Sequence, residues 1–380
     1  MKPQKMNQAS AFSALDKFIT NNFSFAIYRA PHDEEPSLIL QNDLSCFSHT
    51  SLLELPIDAA FIMSHFDMTH NGLLIGIRAE NIIYGTQAIG SFISNINCPS
   101  PENLEAQPYN DKASKKSRVV GDTTYEQYAQ AFNKYNKAIR DGQFEKLVLA
   151  RKTSMAFKSD FSPALCFEKA CKDFPSAFVY LCHTPLSGTW MAASPEMLLS
   201  GKDNQWNTVA LAGTQKIDLK SPERLWDEKN KREQAIVAKF MRECLQLFAT
   251  NTQEKGEYTQ QAGNIQHLRT DFSFELKRKD LLLPLLSHLL ASPAVGGCPK
   301  EEACQFILEN EPLERKFYAG IVGVLNPKSK TDLYVNLRCM EIFSNAVQLY
   351  AGGGIMEDSV LDKEWQETED KLQNGKAMIQ

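Results

Sequence analysis

A run of three glycines at the end of an apolar stretch, Ala351-Gly352-Gly353-Gly354-Ile355, constrains this chain more than any other feature. Residues without a Cβ let backbone N–H groups close on an anionic ligand. Glu364-Trp365-Gln366-Glu367-Thr368 and then Lys371 follow. In a helix Glu364, Glu367 and Lys371 share one face. Anion-binding backbone, two carboxylates and one ammonium therefore lie close in sequence, as a magnesium-assisted site for a small carboxylate substrate requires. The plainer alternative is a tight bend followed by an ordinary exposed ion pair.

The chain has 380 residues, 43% hydrophobic and 23% charged, with a net charge of −5. That composition belongs to a soluble globular protein with a large core. No basic block stands out, which excludes nucleic acid as the expected partner. Met1 to Phe23 lacks the apolar core of a signal peptide. The most apolar run, Leu281 to Leu290, is short and contains Pro284 and His288, so it cannot span a bilayer. Nine cysteines with no C-x-x-C pair read as buried thiols of a cytoplasmic protein.

Residues 1–118 read as a β-rich N-terminal portion, with a polar linker at 101–118 (PENLEAQPYNDKASKKSR), and 119–380 as the catalytic region, both forming one compact unit. Thr123-x-x-Glu126 is a capping-box pattern, and Tyr128, Phe132, Tyr135 and Ile139 follow at helical spacing up to Asp141-Gly142. Strands are expected at 146–151, 177–182, 189–200, up to Leu211-Ala212-Gly213-Thr214, and at 262–270, 318–325, 332–339 and 345–351. Helices are expected near 163–173, 225–249 and from 361. Hairpin-paired strands with helices between them predict a large mixed α/β sandwich rather than a doubly wound sheet. No GxGxxG or Walker sequence points to a nucleotide.

Three further residues carry chemical weight. Glu233 lies one turn before the apolar stripe Ile236, Val237, Phe240, Met241, Cys244, Leu247 and Phe248, and an inward-facing acid needs a partner. With Glu364 and Glu367 it makes an oxygen-ligand set that suits Mg2+ better than zinc. Lys146 shares a strand face with Val148 and Ala150, where a partly dry lysine can act as a base. A lysine snorkelling from a strand end is the alternative. Glu196 closes Ala192-Ala193-Ser194-Pro195-Glu196 and is either a general acid or a turn cap.

Taken together, the segments FEKLVLAR (144–151), AASPEMLL (192–199), LAGT (211–214), KNKRE (229–233), QHLRT (266–270), SPAVGGCP (292–299), EPLERKFYAG (311–320), NLRC (336–339), YAGGGI (350–355) and EWQETEDK (364–371) resemble the chorismate-utilising enzyme family. The resemblance runs from about Thr123 to Ile379. It implies a large sandwich of mainly antiparallel sheets flanked by helices, and chorismate as substrate. It implies Lys146 as the base that activates water and Glu196 as the acid that protonates the leaving C4 hydroxyl. By the same match Glu233 and Glu367 ligate Mg2+, and Glu364 holds metal-bound water. Tyr318, Arg338, Lys371 and the amides of Gly352, Gly353 and Gly354 grip the substrate's carboxylates. Leu211, Ala212, Gly213, Thr214 and His267 wall the pocket.

Within the family, aminodeoxychorismate synthases carry a lysine nucleophile where this chain has Ala212, and anthranilate synthases carry an LLES-type segment that is not evident here. Water attack at C2, as in isochorismate synthase, is the expectation, serving menaquinone or siderophore synthesis in a monomer with no obligatory protein partner. Salicylate synthase and anthranilate synthase component I are the rival enzymes, and a non-catalytic chorismate-binding protein the rival of another class. Three elements depart from the family pattern: Leu290, with Ala291 next, stands where H-P opens H-P-[TS]-P-A-V-G-G, A-G-G-G-I replaces A-G-A-G-I, and R-K-F-Y-A-G replaces R-G-x-Y-A-G.

Overall fold

Short apolar strands joined by hairpins build two antiparallel sheets in the computed structural model, which describes residues 11–56, 58–69, 72–96, 121–157, 161–216, 226–262 and 265–379. The first sheet, edge to edge, is β14 (Gly297–Cys298), β7 (Lys146–Ala156), β18 (Ala346–Ile355), β17 (Cys339–Ile342), β9 (Gly188–Ser194), β8 (Phe178–Thr184), β1 (Phe25–Arg29), β2 (Ser37–Leu40) and β6 (Asn81–Tyr84). The second is β12 (Ala249–Ala262), β13 (Ile265–Leu276), β11 (Gln205–Lys216), β10 (Met197–Lys202), β16 (Lys330–Val335), β15 (Ile321–Leu325), β4 (Ala60–Ser64), β5 (Leu74–Arg78) and β3 (Phe47–His49). Residues 25–84 thus supply strands to the ends of both sheets. The expected linker at 101–118 lies outside the described residues.

The alternation of side chains along a strand explains the apolar runs. In β8, Phe178, Tyr180 and Cys182 enter the core between the sheets, together with Phe61 of β4 and Leu333 of β16. Val179 and Leu181 enter a second core on the other face. There α1 (Ala14–Thr20), α2 (Thr86–Asn95), α4 (Pro163–Asp173) and α8 (Leu361–Ile379) contribute Leu15, Phe18, Ile89, Phe167, Leu372 and Met378. A strand covered on both faces shows no apolar–polar alternation. The remaining helices are α3 (Tyr125–Arg140), α5 (Glu228–Phe248), α6 (Leu282–Leu289) and α7 (Lys300–Asn310). None of the described helices is long and apolar enough to cross a membrane.

Several local expectations shift. The capping box of α3 is Thr124 with Gln127, one residue later than the pattern suggested. The Thr123 hydroxyl instead accepts from the Lys152 amide. The stretch 189–200 is two strands of different sheets, broken at Pro195-Glu196. On α5 it is Leu245 that is buried, whereas Leu247 is 60% exposed.

Candidate active site

The glycine run lies within β18, not in a bend after a strand. Gly352, Gly353 and Gly354 stand opposite Ala150, Leu149 and Val148 of β7. The Val148 amide donates to Gly296 O and the Ala150 amide to Glu311 Oε1, both outside the β7–β18 ladder. Main-chain groups alternate sides along a strand, so Leu149 and Gly353 make the ladder bonds. The main-chain groups of Gly352 and Gly354 then face the other edge of β18. Pairing with β17 ends at Leu349, so β17 does not cover that edge beyond it. Lys371 Nζ donates there to Gly352 O at 2.8 Å.

The absence of side chains matters as much as the amides. A Cβ on Gly354 would fall 2.2 Å from Glu233 Oε1 and 2.9 Å from Lys146 Cε. One on Gly352 would fall 2.8 Å from the Tyr318 hydroxyl. On the other face, a Cβ on Gly353 would meet Glu364 Oε2 at 3.6 Å and Glu367 Oε1 at 3.7 Å. The glycines form a thin floor that lets charged side chains come down onto the sheet.

Around this floor stand three lysine–glutamate pairs. Lys146, fully buried, reaches Glu233 Oε1 at 2.9 Å. Lys371 reaches Glu367 Oε1 at 2.7 Å. Lys229 pairs with Glu364, whose second oxygen is buried without a hydrogen-bond partner. Lys229 was not singled out from the sequence. The available signal was its spacing, one helical turn before Glu233 on α5. Burial alone would raise Glu233, but Lys146, Lys229 and Lys371 hold it below the usual carboxylate range. Burial pushes Glu364 up against the pull of Lys229, and Glu367 adds to the rise.

Glu196 sits in the break between β9 and β10, 8% exposed, its carbonyl accepting from the Val335 amide. Burial pushes its carboxyl up to about 7, against the attraction of Lys146, Lys371 and Arg338. The side chain therefore keeps part of its proton near neutral pH, as a general acid there requires. Arg338 holds a positive φ of 50° and leaves Nη1 buried with no hydrogen-bond partner, a donor suited to an anion. Burial pulls its guanidinium down from its ordinary value. Burial likewise raises the Tyr318 hydroxyl well above its usual range.

The opposite wall comes from the second sheet. Leu211 and Ala212 are buried on β11, which bulges at Gly213 (φ 68°) where the chain passes Asn230 of α5. His267 on β13 bonds Gly213 O through Nδ1 at 3.1 Å. A carbonyl only accepts, so Nδ1 carries the proton. Burial, then Arg338 and Lys371, lower its pKa to about 4, which keeps the ring neutral. The side chain of Thr214 lies outside the described residues.

Glu233, Glu364 and Glu367 offer oxygen donors only, all three lie close enough to Lys229 to raise its pKa, and one Glu364 oxygen is buried without a hydrogen-bond partner. This donor set fits a hard divalent ion. Among the described residues, though, no three His, Cys, Asp or Glu side chains already stand in coordinating positions. Each carboxylate holds an ammonium instead, so metal binding would exchange those ion pairs for metal–oxygen bonds.

Isochorismate synthase MenF of Escherichia coli (strain K12) is 30% identical over 260 residues, 67% of this chain and 60% of that protein. Isochorismate synthase EntC of the same strain is 29% identical over 240 residues, 60% of this chain and 61% of that one. The chain therefore aligns with only about three-fifths of these relatives' length. Among solved structures, the menaquinone-specific isochorismate synthase MenF from Escherichia coli superposes with a TM-score of 0.74 at 22% identity, covering 100% of this chain and 93% of that one. Anthranilate synthase component I from Streptococcus pneumoniae TIGR4 superposes at 0.67 and 18% identity, covering 100% and 95%. At such identities the likeness speaks for the fold. Residues 4–379 match the family model described as chorismate binding enzyme, and the chain is a member of that family.

Proposed function

We propose that this chain is an isochorismate synthase, which replaces the C4 hydroxyl of chorismate with a hydroxyl from water at C2. One observation carries the proposal. A fully buried lysine, Lys146, lies close enough to a buried carboxyl held up to about 7, Glu196, to act on its charge, and the same lysine borders the Gly354 end of β18. In this reading Lys146, released from its ion pair with Glu233 and in its neutral amine form, takes a proton from water as its oxygen bonds to C2. The two ring double bonds shift, the C4–O bond breaks, and Glu196 gives its proton to the departing hydroxyl, which leaves as water. One water enters and one leaves, so the step is an isomerisation.

Arg338, Tyr318, Lys371 and the Gly352 and Gly354 amides hold the substrate's two carboxylates, while Leu211, Ala212, Gly213 and neutral His267 shape the wall. Ala212 offers no amine, which favours water as the nucleophile. Glu233 and Glu367, with Glu364 acting through bound water, would hold Mg2+. When bound, that ion supplies a hard positive charge for the ring carboxylate. With water as nucleophile no ammonia-supplying partner is needed, and we place the enzyme in the cytoplasm as a monomer. Its product would serve menaquinone or siderophore synthesis.

The test is incubation with chorismate and Mg2+, with and without ammonium, and separation of products. Isochorismate in both arms supports the proposal. Salicylate with pyruvate makes the chain a salicylate synthase, ammonium-dependent anthranilate makes it an anthranilate synthase, and binding without turnover leaves a chorismate-binding protein.

A further inference from the structure

Tyr318 and Arg338 lie on two different loops, and one side chain joins them. Asn336 is fully buried. Its amide donates to Gly320 O at 2.8 Å and its carbonyl accepts from the Ala319 amide at 2.9 Å. Its side-chain Nδ2 donates to Phe317 O at 3.0 Å, and its Oδ1 accepts from the Tyr180 hydroxyl at 2.9 Å. All four polar groups of the residue are engaged. Three of them bind the loop that carries Tyr318, and Arg338 follows two residues later on the same strand end.

Both loops hold non-glycine residues in the left-handed region: Lys316 at φ 50°, Ala319 at φ 62° and Arg338 at φ 50°. Such conformations persist only where the surroundings over-determine them. The other constraint is steric. A Cβ on Gly320 would lie 1.9 Å from Ser64 O of β4, so this loop is pressed against the second sheet. The Ser64 hydroxyl accepts from the Ile321 amide and pins the loop's far end. Between β4 and Asn336 the Tyr318 loop has little room to move, and Asn336 transmits its position to Arg338.

We propose that Asn336 is a positioning residue that sets Tyr318 and Arg338 as a single unit, so that the two substrate grips are aligned together. This rests on the reading of Tyr318 and Arg338 as the grip on the substrate's carboxylates. Asn336→Leu keeps the volume and removes the side-chain bonds; Tyr180→Phe removes one bond and keeps the ring.

The first measurement is amide hydrogen exchange on the full chain, which needs no substrate. Segments 317–320 and 337–339 should exchange about tenfold faster together in Asn336→Leu, and more modestly in Tyr180→Phe, while β7 and β18 stay unchanged. If Asn336→Leu does not fold, the same pattern in Tyr180→Phe carries the test. The second measurement is KM for chorismate, expected to rise about tenfold in Asn336→Leu but to change less than about twofold when Asn336→Leu is added to Arg338→Ala. A purely structural role would instead lower Tm, speed exchange throughout and leave KM of the folded enzyme unchanged, and that result overturns the proposal. Unchanged exchange in both segments overturns it too. If the wild type does not turn over chorismate, the isochorismate synthase assignment fails, and the exchange pattern still decides whether Asn336 couples the loops.

Discussion

Gly354→Ala should uncouple the stability of this fold from the activity of its site. The added methyl would lie 2.2 Å from Glu233 Oε1 and 2.9 Å from Lys146 Cε. Relief to a tight contact of ~3.2 Å moves the carboxylate by about 1 Å and breaks its 2.9 Å contact with Lys146. Both obstructing atoms end flexible side chains, so the fold can absorb the methyl. None of the three strand glycines has a positive φ, so backbone strain does not enter. Displacing reacting groups by about 1 Å costs on the order of 10²-fold in rate, or ~2.7 kcal/mol of transition-state stabilisation. Gly353→Ala is the control, because its methyl meets Glu364 and Glu367 at 3.6 and 3.7 Å, ordinary contact distances. The assay is kcat/KM with chorismate and Mg2+ beside a thermal melt. The expected pattern is a ~10²-fold loss for Gly354→Ala at near-native Tm, and activity within about twofold of wild type for Gly353→Ala. Equal activity in the two variants would refute the account of the glycines as a floor beneath Lys146 and Glu233.

Three other substitutions probe the same site. Lys146→Ala should lower turnover by about 10²–10⁴-fold while chorismate binding, measured by calorimetry, is retained. For Glu196, burial lifts the carboxyl from its ordinary 4.5 to about 7, so the folded chain keeps a proton that the unfolded chain releases. That contribution to stability is full below 4.5 and is lost as pH rises through about 7. Glu196→Gln escapes the loss, so its Tm relative to wild type should climb across this window. Its turnover should fall far more than its binding, and wild-type activity should decline on the alkaline side of about 7. Glu233→Gln and Glu367→Gln should each raise the Mg2+ concentration needed for half-maximal activity, and unchanged titrations would place the metal elsewhere.

The sequence made some parts of this structure legible and hid others for physical reasons. Helices α3 and α5 are legible through apolar spacing, although packing on α5 buries Leu245 and leaves Leu247 exposed. β12 was missed because its residues at 250–257 are exposed at a sheet edge and carry no apolar signal. The glycine run points to an anion-binding backbone but leaves a tight bend open as the alternative, since nothing local distinguishes a turn glycine from one emptied to make room for side chains of distant elements. Lys146 and Glu233 were visible as charged residues on buried faces, but their pairing across 87 positions is a product of the fold. Lys229 and Asn336 carried too little local signal, because their partners lie on α8 and on the loop before β15.

The most direct test of the central claim is turnover of chorismate in ¹⁸O-labelled water with Mg2+, followed by mass spectrometry of the product. The account predicts isochorismate carrying one labelled oxygen at C2, formed equally with or without ammonium, and regeneration of chorismate when isochorismate is supplied. Unlabelled product, anthranilate in the presence of ammonium, or salicylate released with pyruvate at neutral pH would contradict it.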